Sequence, residues 1–264
     1  MSAESAVRCR ELVSASPSQH QHQPRSRITR TRTRTRTRPP KLPKMASLPP
    51  LPANYAAALR LIDEAHAADP NTIPRDGATV PYELHYAQQM TRWLAARQPD
   101  APPALQLACR AQHFRRWELP RSSHPPTRAG YLTWRAKQKS TAAAQLTALL
   151  TSSAAIQPPL APAEIARVAA LVRKEGLQQQ QLLQQEQQRD EETQVLEDVA
   201  CLVFLDDRLD EFGQRAAMDE DKMVTILRKT WAKMGARGRE LARGMALSEA
   251  AAALVGKALA GGEV

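Results

Sequence analysis

From residue 54 onward, apolar side chains recur at the spacing of an amphipathic helix, in segments separated by Pro- and Gly-bearing breaks. The first segment, Asn54 to Ala67, carries Tyr55, Leu59 and Ile62 on one face, with Asn54 placed to cap it. A loop from Asp69 through Pro74 and Gly77 follows. A second helix is expected from Pro81 to about Gln98, and a third from Pro102-Pro103 through Trp117. Pro120 and Pro125-Pro126 define a long loop. A fourth helix is then predicted over Ala129 to Leu150, and a fifth from Pro162 to Lys174 with Gly176 as its C-cap. The sixth spans Glu191 to Phe212, the seventh Asp219 to Met234 with Gly235 ending it, and an alanine-rich eighth Arg239 to Leu259. No segment alternates cleanly enough for a strand. The pattern predicts an all-α protein, a single domain of about eight helices over residues 46–264.

Two stretches fall outside this pattern. Residues 1–45 include Arg27 to Arg38, RITRTRTRTRTR, in which like charges alternate with threonine and leave no apolar face. Such a segment cannot pack, and a disordered basic leader is expected. Its Arg- and Ser-rich, acid-poor composition fits a chloroplast or mitochondrial transit peptide. A translated dipeptide repeat ahead of a start at Met45 fits as well, and would leave the product cytoplasmic; a nucleic-acid-binding tail is the third reading. Gln178 to Gln188 is glutamine-rich and reads as an insert.

Composition supports the helical reading. Hydrophobic residues make up 42%, but aromatics only 4%, and alanine and leucine carry most of the apolar content. No run reaches the roughly 18 apolar residues of a membrane span. The formal net charge of +10 suggests a nucleic-acid partner until it is divided. The leader holds eleven Lys or Arg and two acids, so it accounts for +9, and the remainder is nearly neutral at +1. Charge therefore argues against nucleic-acid binding by the helical domain. Cys9, Cys109 and Cys201 share no CxxC spacing, which points away from a disulfide framework and from thiolate-held zinc.

Polar residues on apolar stripes carry the candidate chemistry. Glu83 shares a face with Ala87, Met90 and Leu94. His113 continues the row of Leu105 and Cys109. Asp198 interrupts the stripe of Val195, Leu202, Leu205, Leu209 and Phe212, and Glu197 lies beside it. Buried carboxylates need a cation, a metal or hydrogen bonds. Imidazole plus carboxylates from three helices suit a divalent ion such as manganese, iron or magnesium, so Glu83, His113 and Asp198 are candidate metal ligands and Glu197 a candidate catalytic group. A structural network pairing these acids with arginines is the competing reading. His113 to Arg135 adds Arg116, Arg121, Arg128 and Arg135 among Trp117, Tyr131 and Trp134, the residue types of a phosphate clamp or of an aromatic-anchored loop.

Seven segments, ALRLIDEAHAADPN, YELHYAQQMTRWL, LACRAQHFRRWELPR, RAGYLTWR, RVAALVRKEGL, LEDVACLVFL and ILRKTWAKMG, resemble in order the family called domain of unknown function 4202. The resemblance covers about Tyr55 to Met234 and implies a helical domain. That family is in turn distantly similar to the HD superfamily of metal-dependent phosphohydrolases, implying an HD-like bundle in which His113 matches the doublet histidine and Asp198 the final aspartate. Phe114 stands where the doublet carries Asp, Glu83 where a first histidine is expected, and Ser140-Thr141 where the fourth helix would supply another. Proteins of the family are sometimes labelled glutamyl-tRNA synthetase. Aminoacylation needs a Rossmann catalytic domain with its signatures, and the pattern here contains no parallel sheet. The resulting expectation is a domain that binds a divalent metal and a phosphorylated small molecule, with hydrolase activity. A non-catalytic ligand- or protein-binding module is the alternative, with the alanine-rich last helix as a candidate interface.

Overall fold

A computed structural model describes residues 47–75, 77–175, 190–207, 209 and 220–260. The basic leader, the glutamine-rich insert and the Gly176 cap lie outside the described residues. Within them, the polypeptide forms α1 (Ala53–Ala67), β1 (Thr72–Arg75), β2 (Ala78–Pro81), α2 (Tyr82–Arg97) and α3 (Pro103–Arg110). Two 3-10 turns, Arg116–Glu118 and Arg121–Ser123, lead into α4 (Arg128–Ser152) and α5 (Pro162–Arg173). Then come α6 (Glu191–Asp207), α7 (Glu220–Lys233), α8 (Ala236–Arg243) and α9 (Glu249–Ala260). The protein is all-α apart from one small hairpin.

The periodic apolar faces meet in one core. Ile62 of α1, Met90 and Leu94 of α2, Leu105 of α3, Leu146 of α4, Leu171 of α5 and Leu196 and Leu202 of α6 are buried together. Helix α2 packs on α6, α3 on α5 and α2, and α4 chiefly on α5 rather than on α6 or α7. Helix α8 rests on α6 and α2, while α9 covers α7. Among the described residues no helix is long and apolar enough to cross a membrane.

Polar side chains fasten the helix ends. The buried Asp69 carboxylate accepts the backbone N–H of Asn71 at 2.9 Å and of Glu83 at 3.0 Å, so it caps the first turn of α2 from the preceding loop. Thr127 caps α4 by accepting the N–H of Gly130. Gly130 has to be small, because a Cβ there would meet the Pro125 carbonyl oxygen at 2.3 Å. Arg167 of α5 grips both Asp190 and Glu192 at the start of α6. At the other end of α6, Asp206 pairs with Arg92 and Trp93, and Asp207 with Arg75 and His85.

Three features differ from the sequence expectation. The loop after Asp69 contains an antiparallel hairpin, with Ile73 opposite Val80 and Pro74 opposite Thr79. Its turn holds Gly77 at φ +81, a conformation glycine adopts without strain. The third helix stops at Arg110 instead of Trp117. His113 and Arg115 take left-handed backbone conformations at φ 65 and 48, and the reversal turns Phe114 into the core. The last helix is divided in two, because the chain leaves helical geometry after Arg243 and resumes it at Glu249.

Candidate functional site

Glu83, His113 and Asp198 do not assemble into one centre. Asp198 is fully buried, and both of its oxygens are engaged. Oδ2 accepts from Arg97 Nε at 2.7 Å, and Oδ1 accepts the Gly235 N–H at 2.7 Å and Gln194 Nε2 at 2.9 Å. Gly235 is the residue preceding α8, so Asp198 anchors the start of that helix from across the core. Gly238, in the first turn of α8, lies so close that a Cβ would meet the Asp198 carboxyl carbon at 2.6 Å. The inward position of Asp198 is correct, and its partners are an arginine and a helix terminus. Among the described residues no three His, Cys, Asp or Glu side chains group as a metal requires.

Glu83 and His113 do meet. The turn after α3 brings His113 Nδ1 to 3.6 Å from Glu83 Oε2, and the imidazole stacks on Tyr86 with centroids 4.3 Å apart and planes 17° from parallel. His113 reaches this place through a left-handed turn and not as the next row of a helix, which periodicity had assumed. Burial raises the Tyr86 hydroxyl far above its ordinary range, with Tyr82 and Glu83 adding to the effect and Arg116 opposing it.

Two members of the expected arginine clamp, Arg116 and Arg121, lie against the same Trp134 ring, at 5.2 and 6.0 Å. Arg121 donates to the carbonyls of His124 and Pro125, both at 2.7 Å, and closes its own loop. Arg116 is buried, with its guanidinium over the Trp134 ring at 5.2 Å. Trp134 donates to the Leu119 carbonyl and packs with Tyr131, so these aromatics anchor the loop to α4. Arg128 is exposed at the first residue of α4. Only Arg135 reaches a different and more charged neighbourhood.

That neighbourhood is built around Glu197 on α6. Lys174, which follows α5 in a left-handed conformation at φ 56, places its Nζ 2.5 Å from Glu197 Oε2. Lys233, the last residue of α7, places its Nζ 3.8 Å from Oε1. Both lysine side chains are little exposed, at 14% and 8%. Arg135 and Lys139, one turn apart on α4, act on the same group. Burial alone would raise the Glu197 carboxyl, yet Lys174, Lys233 and Arg135 hold it down at about 2. Burial lowers Lys139 to about 8; Lys174 and Arg135 push in the same direction, Glu197 opposes them, and Lys233 adds to the lowering. Lys233 is lowered by burial, with Glu197 opposing. Among the described residues Lys139 has no ion pair.

The two polar regions adjoin. Cys201, one turn after Glu197, has its thiol pushed up to about 12 by burial and by Glu197, and it acts in turn on Tyr86. Gln138, immediately before Lys139, donates to the Arg116 carbonyl at 3.1 Å and so holds the His113–Arg116 turn against α4. Lys139, Lys174 and Lys233 were not singled out by sequence reasoning. They come from three separate stretches of the chain with no common spacing, so periodicity does not bring them together.

Fold and site together define a helical domain in which Lys174 and Lys233 converge on the buried Glu197. The sequence model of the family described as domain of unknown function (DUF4202) matches residues 56–255. The chain belongs to that family. No curated protein and no solved structure matches it.

Proposed function

We propose that this domain binds a phosphorylated small molecule, with Arg135, Lys139, Lys174 and Lys233 receiving the phosphate. The observation that supports the reading is the pairing of two little-exposed lysines, Lys174 and Lys233, with the one buried carboxylate of Glu197, while the neighbouring Lys139 makes no ion pair among the described residues. An anion joining these ammonium groups would offset the cost of their burial. Both cation types are suited to the task, lysine as a compact charge and arginine as a planar fork. Arg135 is the member of the expected clamp that the proposal keeps.

Metal-dependent hydrolysis, implied by the HD-superfamily resemblance, is not carried into the proposal. Among the described residues no third His, Cys, Asp or Glu joins Glu83 and His113 to make a metal-holding group, and Asp198 is committed to Arg97 and α8. Glu197, held at about 2, is too weak a base to take a proton near neutral pH. The alternative of a structural polar interior is favoured for Asp198 by its anchoring of α8, but it leaves the lysine cluster unexplained.

Thermal unfolding of the full chain in sodium phosphate and in sodium chloride of equal ionic strength tests the proposal. Phosphate at about ten times its dissociation constant should stabilise the protein by about 1.4 kcal/mol, an increase of several degrees. Lys139→Gln should lose the increment. An identical melting temperature in both salts would refute phosphate binding.

A further inference from the structure

We infer that His66 is an acid-sensitive latch: protonation of its imidazole releases the end of α3 and the His113–Arg116 turn from α1, while the rest of the helical core stays folded. The last carbonyls of a helix have no partner within it, and Arg110 is the final residue of α3. His66, in the last turn of α1, is fully buried, and its Nε2 lies 3.0 Å from the Arg110 carbonyl oxygen. A carbonyl only accepts, so Nε2 carries the hydrogen and Nδ1 is the bare nitrogen of a neutral ring. Among the described residues the buried Nδ1 has no hydrogen-bond partner.

This place suits the neutral ring and not the charged one. Protonation would add a donor at Nδ1, where the described residues offer no acceptor. Phe114 meets the imidazole edge to face, with centroids 5.7 Å apart. The carboxylates that act on the ring are committed elsewhere. Asp63, one turn earlier on α1, holds Arg110 through both oxygens, at 2.6 and 2.8 Å. Asp69, in the loop after α1, accepts the N–H groups of Asn71 and Glu83. Arg110 of α3 brings a positive charge, which Thr91 of α2 also accepts at 3.0 Å. Burial therefore dominates and lowers the imidazole to about 4, against the pull of the Arg110 carbonyl, Asp63 and Asp69. That value lies below the ordinary 6.5, so the latch is held in full above about pH 6.5 and weakens as pH falls towards 4.

What the latch holds is the reversal that follows α3. His113 and Arg115 are left-handed at φ 65 and 48, a conformation that residues with a Cβ keep only where their surroundings impose it. His66 bonds to Arg110 before His113 and packs on Phe114 after it. The turn carries His113 to Glu83 and Arg116 to the Trp134 ring, so its release displaces both. Helices α2 and α6 pack on one another without His66, and their contact does not depend on its charge.

Hydrogen exchange of the full chain, read by mass spectrometry at pH 7 and pH 5 and corrected for intrinsic rates, tests this. Protection of residues 108–117 should fall at least about tenfold between those values, while that of α6 holds. His66→Gln keeps a neutral N–H donor and cannot titrate, so the loss should vanish in it. Unchanged protection in the wild type, an equal loss in His66→Gln, or a uniform loss that includes α6 would each overturn the inference. Should His66→Gln not fold, the imidazole titration of His66 in the wild type, followed by nuclear magnetic resonance, decides the matter. A midpoint well below 6.5 is expected, and one at or above 6.5 would overturn the latch.

Discussion

Glu197 and Asp198 are adjacent in sequence, both buried, and opposite in character. Asp198 has Arg97 at 2.7 Å and the N–H of Gly235 at 2.7 Å, a closed set in which each group satisfies the other. Glu197 is outnumbered by its cations. Both acids were legible as inward-facing from the helical period; apart from Gln194 their partners were not, because those lie 23 to 101 residues away. Asp198→Ala should destabilise the protein by about 3–5 kcal/mol in chemical denaturation, since it leaves Arg97 without its buried counter-charge. Gly238→Ala forces a Cβ into the Asp198 carboxylate and should cost about 1–3 kcal/mol by the same measurement. Lys139→Met should behave in the opposite way. The folded-state pKa of about 8 lies below the ordinary lysine value of 10.5, so the unfavourable charge acts in full below about pH 8. Its removal near neutral pH should stabilise the protein by about 1 kcal/mol, after allowing for partial exposure. A destabilised Lys139→Met would contradict the description of the cluster.

At the scale of elements, the long periodic helices were legible and the short or irregular pieces were not. Helices α2, α4 and α5 follow apolar stripes that continue for several turns, so each was found within a few residues of its ends; α6 was found at its start, and its expected end at Phe212 lies outside the described residues. The hairpin was missed because strands of four residues containing Pro74 give no alternation, although Asp-Gly at 76–77 is a turn signal. The early end of α3 was missed because nothing in the residue types of His113 and Arg115 demands a left-handed backbone. That reversal nevertheless delivers His113 to Glu83, so the proximity of the two was anticipated through a wrong local geometry. The junction of α5 and α6 offers a pH test. Arg167 and Thr193 hold the Asp190 carboxyl at about 2, below its ordinary 3.8, with burial opposing. The stabilisation is present above about pH 4 and is lost as pH falls through 2. Asp190→Asn should therefore flatten the acid limb of a stability profile in that window, whereas an unchanged limb would show that the pair contributes nothing.

For the whole molecule, dividing the charge between leader and domain assigned most of the basicity to the leader but did not point to the cations around Glu197. Net charge is a sum, and the domain total of +1 conceals the cluster of Arg135, Lys139, Lys174 and Lys233 around Glu197. On the proposed phosphate-binding reading, the same groups set a pH profile for binding. Below about pH 6 a phosphomonoester gains a proton and loses charge. Above about pH 8 Lys139 gives up its own in the free protein, so affinity declines as pH rises further. Binding should be tightest between those limits.

The most direct test of the central claim is calorimetric titration of the full chain with inorganic pyrophosphate, comparing Lys139→Met and Arg135→Gln with Arg128→Gln. If the cluster on Glu197 is the ligand site, the first two variants should weaken binding at least about tenfold and the third should leave it unchanged. Weakened binding in Arg128→Gln, with wild-type affinity in the other two, would place the ligand on the arginine loop and contradict the account.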